Sequence, residues 1–343
     1  MQNIRLVEYV HLWTSSLEYT RTDEKHTIFS FKMWELDSCG FILNCTSLFI
    51  CVSLHRFCFN LFWHTQSLTP TSIHRSNFQW GGDHFYIYVW FFLFLFSAFM
   101  MTIAPTFIMP LFNKYEPLPD SNLKTRIYAL ADRLQYPLTK LFVMDGSKRS
   151  SHSNAFMFGF GKNKRIVLFD TLMEQVSDDE ILAILGHELG HWKLGHTLSS
   201  FVITQLYFGA SFYGFSLCYG SHTTAVELYQ AFGFDGVNRP IPTIVALLLF
   251  FQTIWAPIDK VLSFALTLNS RRNEFQADEF SSDLGMSQAL QTGLCKISLE
   301  NLGAMCPDPW YATYHYSHPP LVERLSAMMM MAQGGEKDSK KNK

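Results

Sequence analysis

Residues 177–197 read SDDEILAILGHELGHWKLGHT, and the fold is built outward from this stretch. Ser177 followed by Glu180 is a capping-box pattern. Asp178 and Asp179 suit a helix N-terminus, where unpaired N–H groups carry partial positive charge. Ile181, Leu182, Ile184 and Leu185 follow at helical spacing. The pattern predicts a helix that starts near Ser177 and runs on into the next apolar segment. On it lies His187-Glu188-Leu189-Gly190-His191, an H-E-x-x-H motif. Residues four apart share one helix face, so both imidazoles can reach a single metal ion. Glu188 sits beside that face, where it can take a proton from water at the metal.

Zinc needs a third protein ligand and an open position. His196 lies five residues after His191, whereas the metzincin pattern requires the sixth, here Thr197, so His196 is set aside. Glu274, in SRRNEFQADEF (270–280), is the better donor. Asp278 is four residues on, shares its face, and can hold a ligand histidine from behind. By itself this segment also reads as a surface carboxylate pair beside Arg271 and Arg272. Beside an H-E-x-x-H helix the ligand reading is preferred. With two histidines and a glutamate around one zinc, peptide hydrolysis is the default reaction.

On either side of this helix the chain is apolar over membrane lengths. A bilayer core takes about 20 apolar residues to cross. Three segments qualify: about 85–112 and 197–220, both without charge, and 241–268, interrupted only by Asp259 and Lys260. Pro105 and Pro110 do not exclude the first, because freed backbone groups can be re-satisfied in a bundle. A fourth stretch, 40–63, is weaker because it contains Asn44, His55 and Arg56. Charged residues make up only 16% of the 343-residue chain and Phe alone accounts for 32, which excludes a disordered or solvating chain. The net charge of −2 gives no sign of a nucleic-acid partner. The seven cysteines are odd in number and contain no C-x-x-C, so neither a disulfide framework nor a cysteine zinc site is expected.

Basic residues orient the spans. Residues 113–196 carry 11 Lys/Arg and 266–343 carry 8, while 222–240 carry only Arg239. The positive-inside rule puts the first two segments in the cytosol and 222–240 in the lumen. Two catalytic segments, 113–196 and 270–330, are then joined by a two-span hairpin and can form one site.

Two β-rich runs flank Gly161-Lys162-Asn163-Lys164, which reads as a hairpin turn. Such a hairpin can offer an edge strand to an extended peptide. Ser151-His152-Ser153-Asn154 precedes it; alone, these read as turn residues. Near the C-terminus, YHYSHPPLVERL puts His318 at a helix start and Arg324 one or two turns in; alone, these read as a cap and a surface charge. The tail after Ala332 reads as solvated and disordered.

Taken together, GSKRSSHSNAFMFGFGKNKRIVLFDTL, HELGH, SRRNEFQADEF and HPPLVERL resemble the type I CAAX prenyl protease family, over roughly Trp80 to Met329. The resemblance implies an integral membrane, mostly α protein: a multi-span helical bundle with a gluzincin-like zinc metalloprotease domain and a small β-hairpin with an edge strand. It implies one zinc ion per chain held by His187, His191 and Glu274, with Glu188 as the catalytic base. His318, Asn154 and Arg324 match positions that contact the substrate peptide or stabilise the transition state. The implied partners are prenylated C-terminal C-a-a-X peptides and membrane lipid, with no nucleic acid. The implied reaction removes the last three residues. The implied location is the endoplasmic reticulum membrane, with the inner nuclear membrane as a second site. Lys340-Lys341-Asn342-Lys343 resembles a dilysine retrieval signal. The expected division is an atypical or truncated N-terminal region at 1–80, a membrane metalloprotease domain at 81–335 and a tail at 336–343. Family members have about seven spans, against three or four here, and residues 1–80 are not expected to resemble the family's first spans. Two other readings stay open: a quality-control zinc protease without prenyl dependence, and an inactive scaffold.

Overall fold

A computed structural model of the chain describes residues 84–148, 152–159, 161–219, 227, 229–234, 243–304 and 306–341. The N-terminal region 1–80 with its candidate span 40–63, most of 222–240, and the last two residues fall outside the described residues.

The described chain is mostly helical, and three helices are long and apolar enough to cross a bilayer: Tyr86–Phe112, His196–Cys218 and a run from Val245 to Glu300. The first begins as α1 (Phe85–Ile103), built from aromatic and aliphatic residues without a charge. Phe92, Phe99 and Leu111 on it are exposed, as lipid-facing side chains must be. Pro105 has no N–H to give and its ring displaces the carbonyl a turn back, so the helix widens into a π-turn at Ala104–Ile108 before continuing through Met109–Phe112. The hydroxyls of Thr102 and Thr106 donate to the carbonyls of Ala98 and Thr102, supplying partners inside the helix itself.

Four strands form one mixed sheet: β1 (Tyr115–Pro117), β2 (Leu138–Met144), β3 (Ala155–Phe158) and β4 (Lys164–Phe169), in the order β1-β2-β4-β3. The expected hairpin is β3–β4, and β3 lies at the sheet edge. The hairpin is thus part of a larger sheet than expected. LTKLFVM forms β2 and pairs parallel to β4, so both neighbours of β4 are strands and Ile166, Val167 and Leu168 are fully buried. Helix α2 (Asn122–Arg133) packs its buried Leu123, Ile127 and Leu130 into the same core.

After the short helix α3 (Asp170–Gln175) comes α4 (Asp178–Lys193), the H-E-x-x-H helix. Its capping box forms: the Ser177 N–H donates to the Glu180 carboxylate at 2.8 Å, and the Ser177 side chain caps in return. This helix does not run on into the membrane. It stops at Lys193, Gly195 adopts φ +74°, and a separate helix α5 (His196–Tyr219) begins. Glycine takes that left-handed conformation without a Cβ penalty, so the chain can change direction there.

Burial by itself raises the Glu180 pKa, but the Lys296 ammonium at 2.7 Å and the Ser177 N–H outweigh it and bring the value from 4.5 down to about 2. A depressed folded-state value stabilises the fold fully above the unfolded value of 4.5 and stops doing so as pH falls through about 2. Glu180→Gln is therefore expected to lower the melting temperature at pH 7 and to match wild type near pH 2, read by thermal melts of the two proteins in detergent across that range.

The third membrane-length run begins with α6 (Thr243–Leu249), widens into a π-turn at Phe250–Trp255 ahead of Pro257, and continues as α7 (Ala256–Ser281). The span and the segment carrying Glu274 are one continuous helix. Helix α7 packs on α4 at two glycines of the motif region. A Cβ on Gly190 would come within 3.0 Å of the Phe280 ring, and one on Gly186 within 3.1 Å of Ser281 Oγ. The Ser281 hydroxyl donates to the Ala183 carbonyl at 2.9 Å, tying the two backbones at this crossing. Helices α8 (Ser287–Glu300), α9 (Pro309–His315) and α10 (Leu321–Lys341) complete the domain. The backbone of α10 is helical to Lys341.

Candidate active site

Helices α4 and α7 bring His187, His191 and Glu274 together, with one ligand atom from each inside a 4.8 Å cluster. His187 Nε2 stands 3.1 Å from His191 Nε2 and 3.5 Å from Glu274 Oε2, and His191 Nε2 is 3.2 Å from Glu274 Oε1. His187 and Glu274 are 6% and 3% exposed, so little water reaches these atoms. Asp278 lies behind them, fully buried, where it accepts from His187 Nδ1 at 2.9 Å. That bond leaves the His187 Nε2 lone pair facing the cluster. Lone pairs and a carboxylate aimed at one another repel unless positive charge stands among them. Burial disfavours the imidazolium, yet the hydrogen bonds to Asp278 and Glu274 more than offset this and lift the His187 pKa from 6.5 to about 9, so a proton and a metal cation compete for Nε2. The cluster attracts a cation, and its nitrogen and oxygen donors suit zinc.

The C-terminal segment closes the cluster. His318, just before Pro319-Pro320 and α10, sets its Nδ1 3.0 Å from Glu274 Oε2. Arg324, in the first turn of α10, donates from Nε and Nη2 to both Asp278 oxygens at 2.8 and 2.6 Å. Its Nη1 is 3.7 Å from Glu274 Oε2. Arg324, expected as a substrate-binding residue, lines the cavity in front of the cluster and has its fork on Asp278. A second ion pair runs the opposite way between the same two helices: Arg271 of α7 donates to Glu323 of α10 and, at 3.4 Å, to the Ala312 carbonyl. Arg271, Glu274 and Asp278 recur at i, i+3 and i+7, one helix face, which is the sequence signal by which Arg271 could have been found.

A cavity of about 150 Å³ opens in front of the cluster, lined by His187, Glu188, Glu274, His318, Arg324 and, from the sheet edge, Asn154. Glu188 is half-buried. Asn154 is exposed, precedes β3, and accepts the Ala155 N–H on its side chain at 2.8 Å. All eight residues singled out in the sequence therefore lie at this one site. His196 is not one of the clustered donors. Its Nδ1 faces His191 Nδ1 at 3.0 Å, and its Nε2 faces Gln276 Oε1 at 3.2 Å.

An H-E-x-x-H helix meeting a glutamate from a second helix, with three membrane-length helices among the described residues, is the arrangement of a metallopeptidase-type centre beside a membrane bundle. Residues 117–332 match the model of peptidase family M48, and the chain belongs to that family. Residues 40–114 match a second model, described as CAAX prenyl protease N-terminal, five membrane helices. This match takes in residues 40–80, contrary to the expectation that likeness to the family begins near Trp80. Among curated relatives, a CAAX prenyl protease 1 homolog of Oryza sativa subsp. japonica is 53% identical over 251 residues, covering 73% of this chain and 57% of the relative. The Homo sapiens CAAX prenyl protease 1 homolog is 43% identical over 290 residues, covering 74% and 60%. The chain thus spans 57–60% of the length of these relatives. Among solved structures, the crystal structure of S. mikatae Ste24p superposes with a TM-score of 0.67 at 36% identity, covering 94% of this chain and 74% of that one.

Proposed function

We propose that this chain is a membrane-embedded zinc endopeptidase that removes the C-terminal tripeptide from prenylated C-a-a-X proteins. The names of its relatives support the substrate class. The observation that carries the reading is a strand edge, unpaired among the described residues, that ends at a metal-type cluster. The Phe169 N–H donates to the Asn154 carbonyl, so by the antiparallel alternation the Ala155 carbonyl and the Met157 N–H and carbonyl point away from β4, while the Ala155 N–H is held by the Asn154 side chain. An extended substrate can add there as a further strand, which suits any C-terminal sequence because it is read through backbone groups.

Each residue then has a task. His187, His191 and Glu274 would hold a zinc ion, whose chemistry when bound would be to polarise the scissile carbonyl and to make water a better nucleophile. Glu188 takes the proton of the attacking water and passes it to the leaving amine. Asn154 fixes the substrate strand at the cavity mouth, and His318 donates to the oxygen that gains charge. Arg324 and Asp278 keep His187 and Glu274 in place from behind. The test is a pair of C-a-a-X peptides, farnesylated and unprenylated, incubated with the detergent-purified chain. Tripeptide release from the farnesylated one alone supports the reading. Equal cleavage of both favours a quality-control protease, and cleavage of neither favours a scaffold.

We place residues 113–196 and 270–343 on the cytosolic face of the endoplasmic reticulum membrane: their Lys/Arg excess chooses the face, and His187 and Glu274, meeting at one cluster, require both segments on the same one. Two spans between them satisfy that parity. A glycosylation acceptor inserted near Asp235 is expected to be modified in microsomes, and one near Gly334 to stay unmodified. The reverse pattern overturns the orientation.

A further inference from the structure

His196 lies outside the ligand register, yet it stands directly behind a ligand. Its Nε2 faces the side-chain oxygen of Gln276 at 3.2 Å, and its Nδ1 faces His191 Nδ1 at 3.0 Å. An amide oxygen only accepts, so His196 carries its proton on Nε2 and donates to Gln276. Its Nδ1 is then a bare acceptor, and the proton in the second bond belongs to His191 Nδ1. His191 is thereby held in the tautomer whose Nε2 lone pair faces the cluster. Each ligand histidine has its own backing. His187 is held by Asp278, a carboxylate 2.9 Å away, whereas His191 is held by a neutral imidazole and amide. Helix α7 supplies the far end of both supports, through Asp278 and Gln276, and Glu274 as well.

We infer that His196, itself fixed by Gln276, is a positioning residue that sets the tautomer and ring orientation of His191 for metal binding. The inference rests on the zinc-peptidase reading of the cluster. Ordered partners of metal-bound imidazoles are typically worth about 10–100-fold in metal affinity.

The test measures zinc affinity of the full chain in detergent by competition with a chelator, for wild type, His196→Leu, His196→Asn, Gln276→Leu and the double Leu variant. Asn places an acceptor oxygen near the former Nδ1; Leu places none. The expected pattern has four parts. His196→Leu binds zinc about 10–100-fold more weakly. His196→Asn recovers most of that loss. Gln276→Leu weakens binding less than His196→Leu. The double variant is no weaker than His196→Leu alone, since both residues act through one chain of bonds. Zinc affinity of His196→Leu within threefold of wild type overturns the inference, as does an Asn variant as weak as the Leu variant. If His196→Leu does not fold, judged by the melt of the metal-free protein, His196→Asn and Gln276→Leu decide by the same criterion: near-normal affinity in the first with loss in the second supports the relay, and the reverse order overturns it. A wild-type chain that binds no zinc shows instead that the peptidase reading has failed.

Discussion

Glu188→Gln is expected to keep its zinc and lose about 10²–10⁴-fold in kcat, the usual contribution of a positioned general base. The substitution leaves His187, His191 and Glu274 untouched, and an amide fills the same half-buried position on the cavity wall. Only the capacity to accept and return a proton is lost. The change should therefore fall on kcat, with KM close to wild type, because in the proposed function the β3 edge and Asn154, and not Glu188, hold the peptide. Zinc content and steady-state kinetics on the same purified sample check it. A zinc-loaded variant with normal kcat removes Glu188 from the mechanism.

Glu274→Ala is expected to lose zinc far more completely than His196→Ala. Glu274 supplies the oxygen donor and is buried at the convergence of four cationic or hydrogen-bonding side chains: His187, His191, His318 and Arg324. Its removal takes away both the ligand and the negative charge that attracts the cation. His196 faces the Nδ1 of His191, on the side of that ring away from the cluster, and by the inference above acts on the metal site only through it. Metal analysis of the two purified variants checks the order. Full zinc in Glu274→Ala together with loss in His196→Ala reverses the assignment.

The site was legible in the sequence because its chemistry is tied to helical spacing. His187 and His191 at i, i+4, and Glu274 and Asp278 at i, i+4, each share a face whatever surrounds them, so two local patterns suffice to nominate four groups. Asn154, His318 and Arg324 had no such local signal and came only from family resemblance. In the fold, what the sequence concealed depends on long-range partners. β2 is a seven-residue run that becomes a strand through antiparallel pairing with β1 and parallel pairing with β4, whose partner residues lie about 25 positions on. The break at Gly195 lies in HWKLGHT, where the apolar pattern continues on both sides and a single glycine is compatible with helix or turn. The Arg271–Glu323 and Asp278–Arg324 pairs cross between helices some fifty residues apart, and charged residues in sequence do not announce their partners. His196 illustrates the same limit: spacing excluded it as a ligand, but its place behind His191 needs the Gln276 side of α7 to be visible.

The most direct measurement on the metal site is zinc X-ray absorption of the purified full chain, beside the Glu274→Ala variant. The expected spectrum is that of one zinc per chain with two imidazole nitrogens at about 2.0–2.1 Å and oxygens at about 2.0–2.2 Å, lost in the variant. A sulfur shell near about 2.3 Å, a third imidazole, or an unchanged spectrum in Glu274→Ala would contradict a centre built from His187, His191 and Glu274.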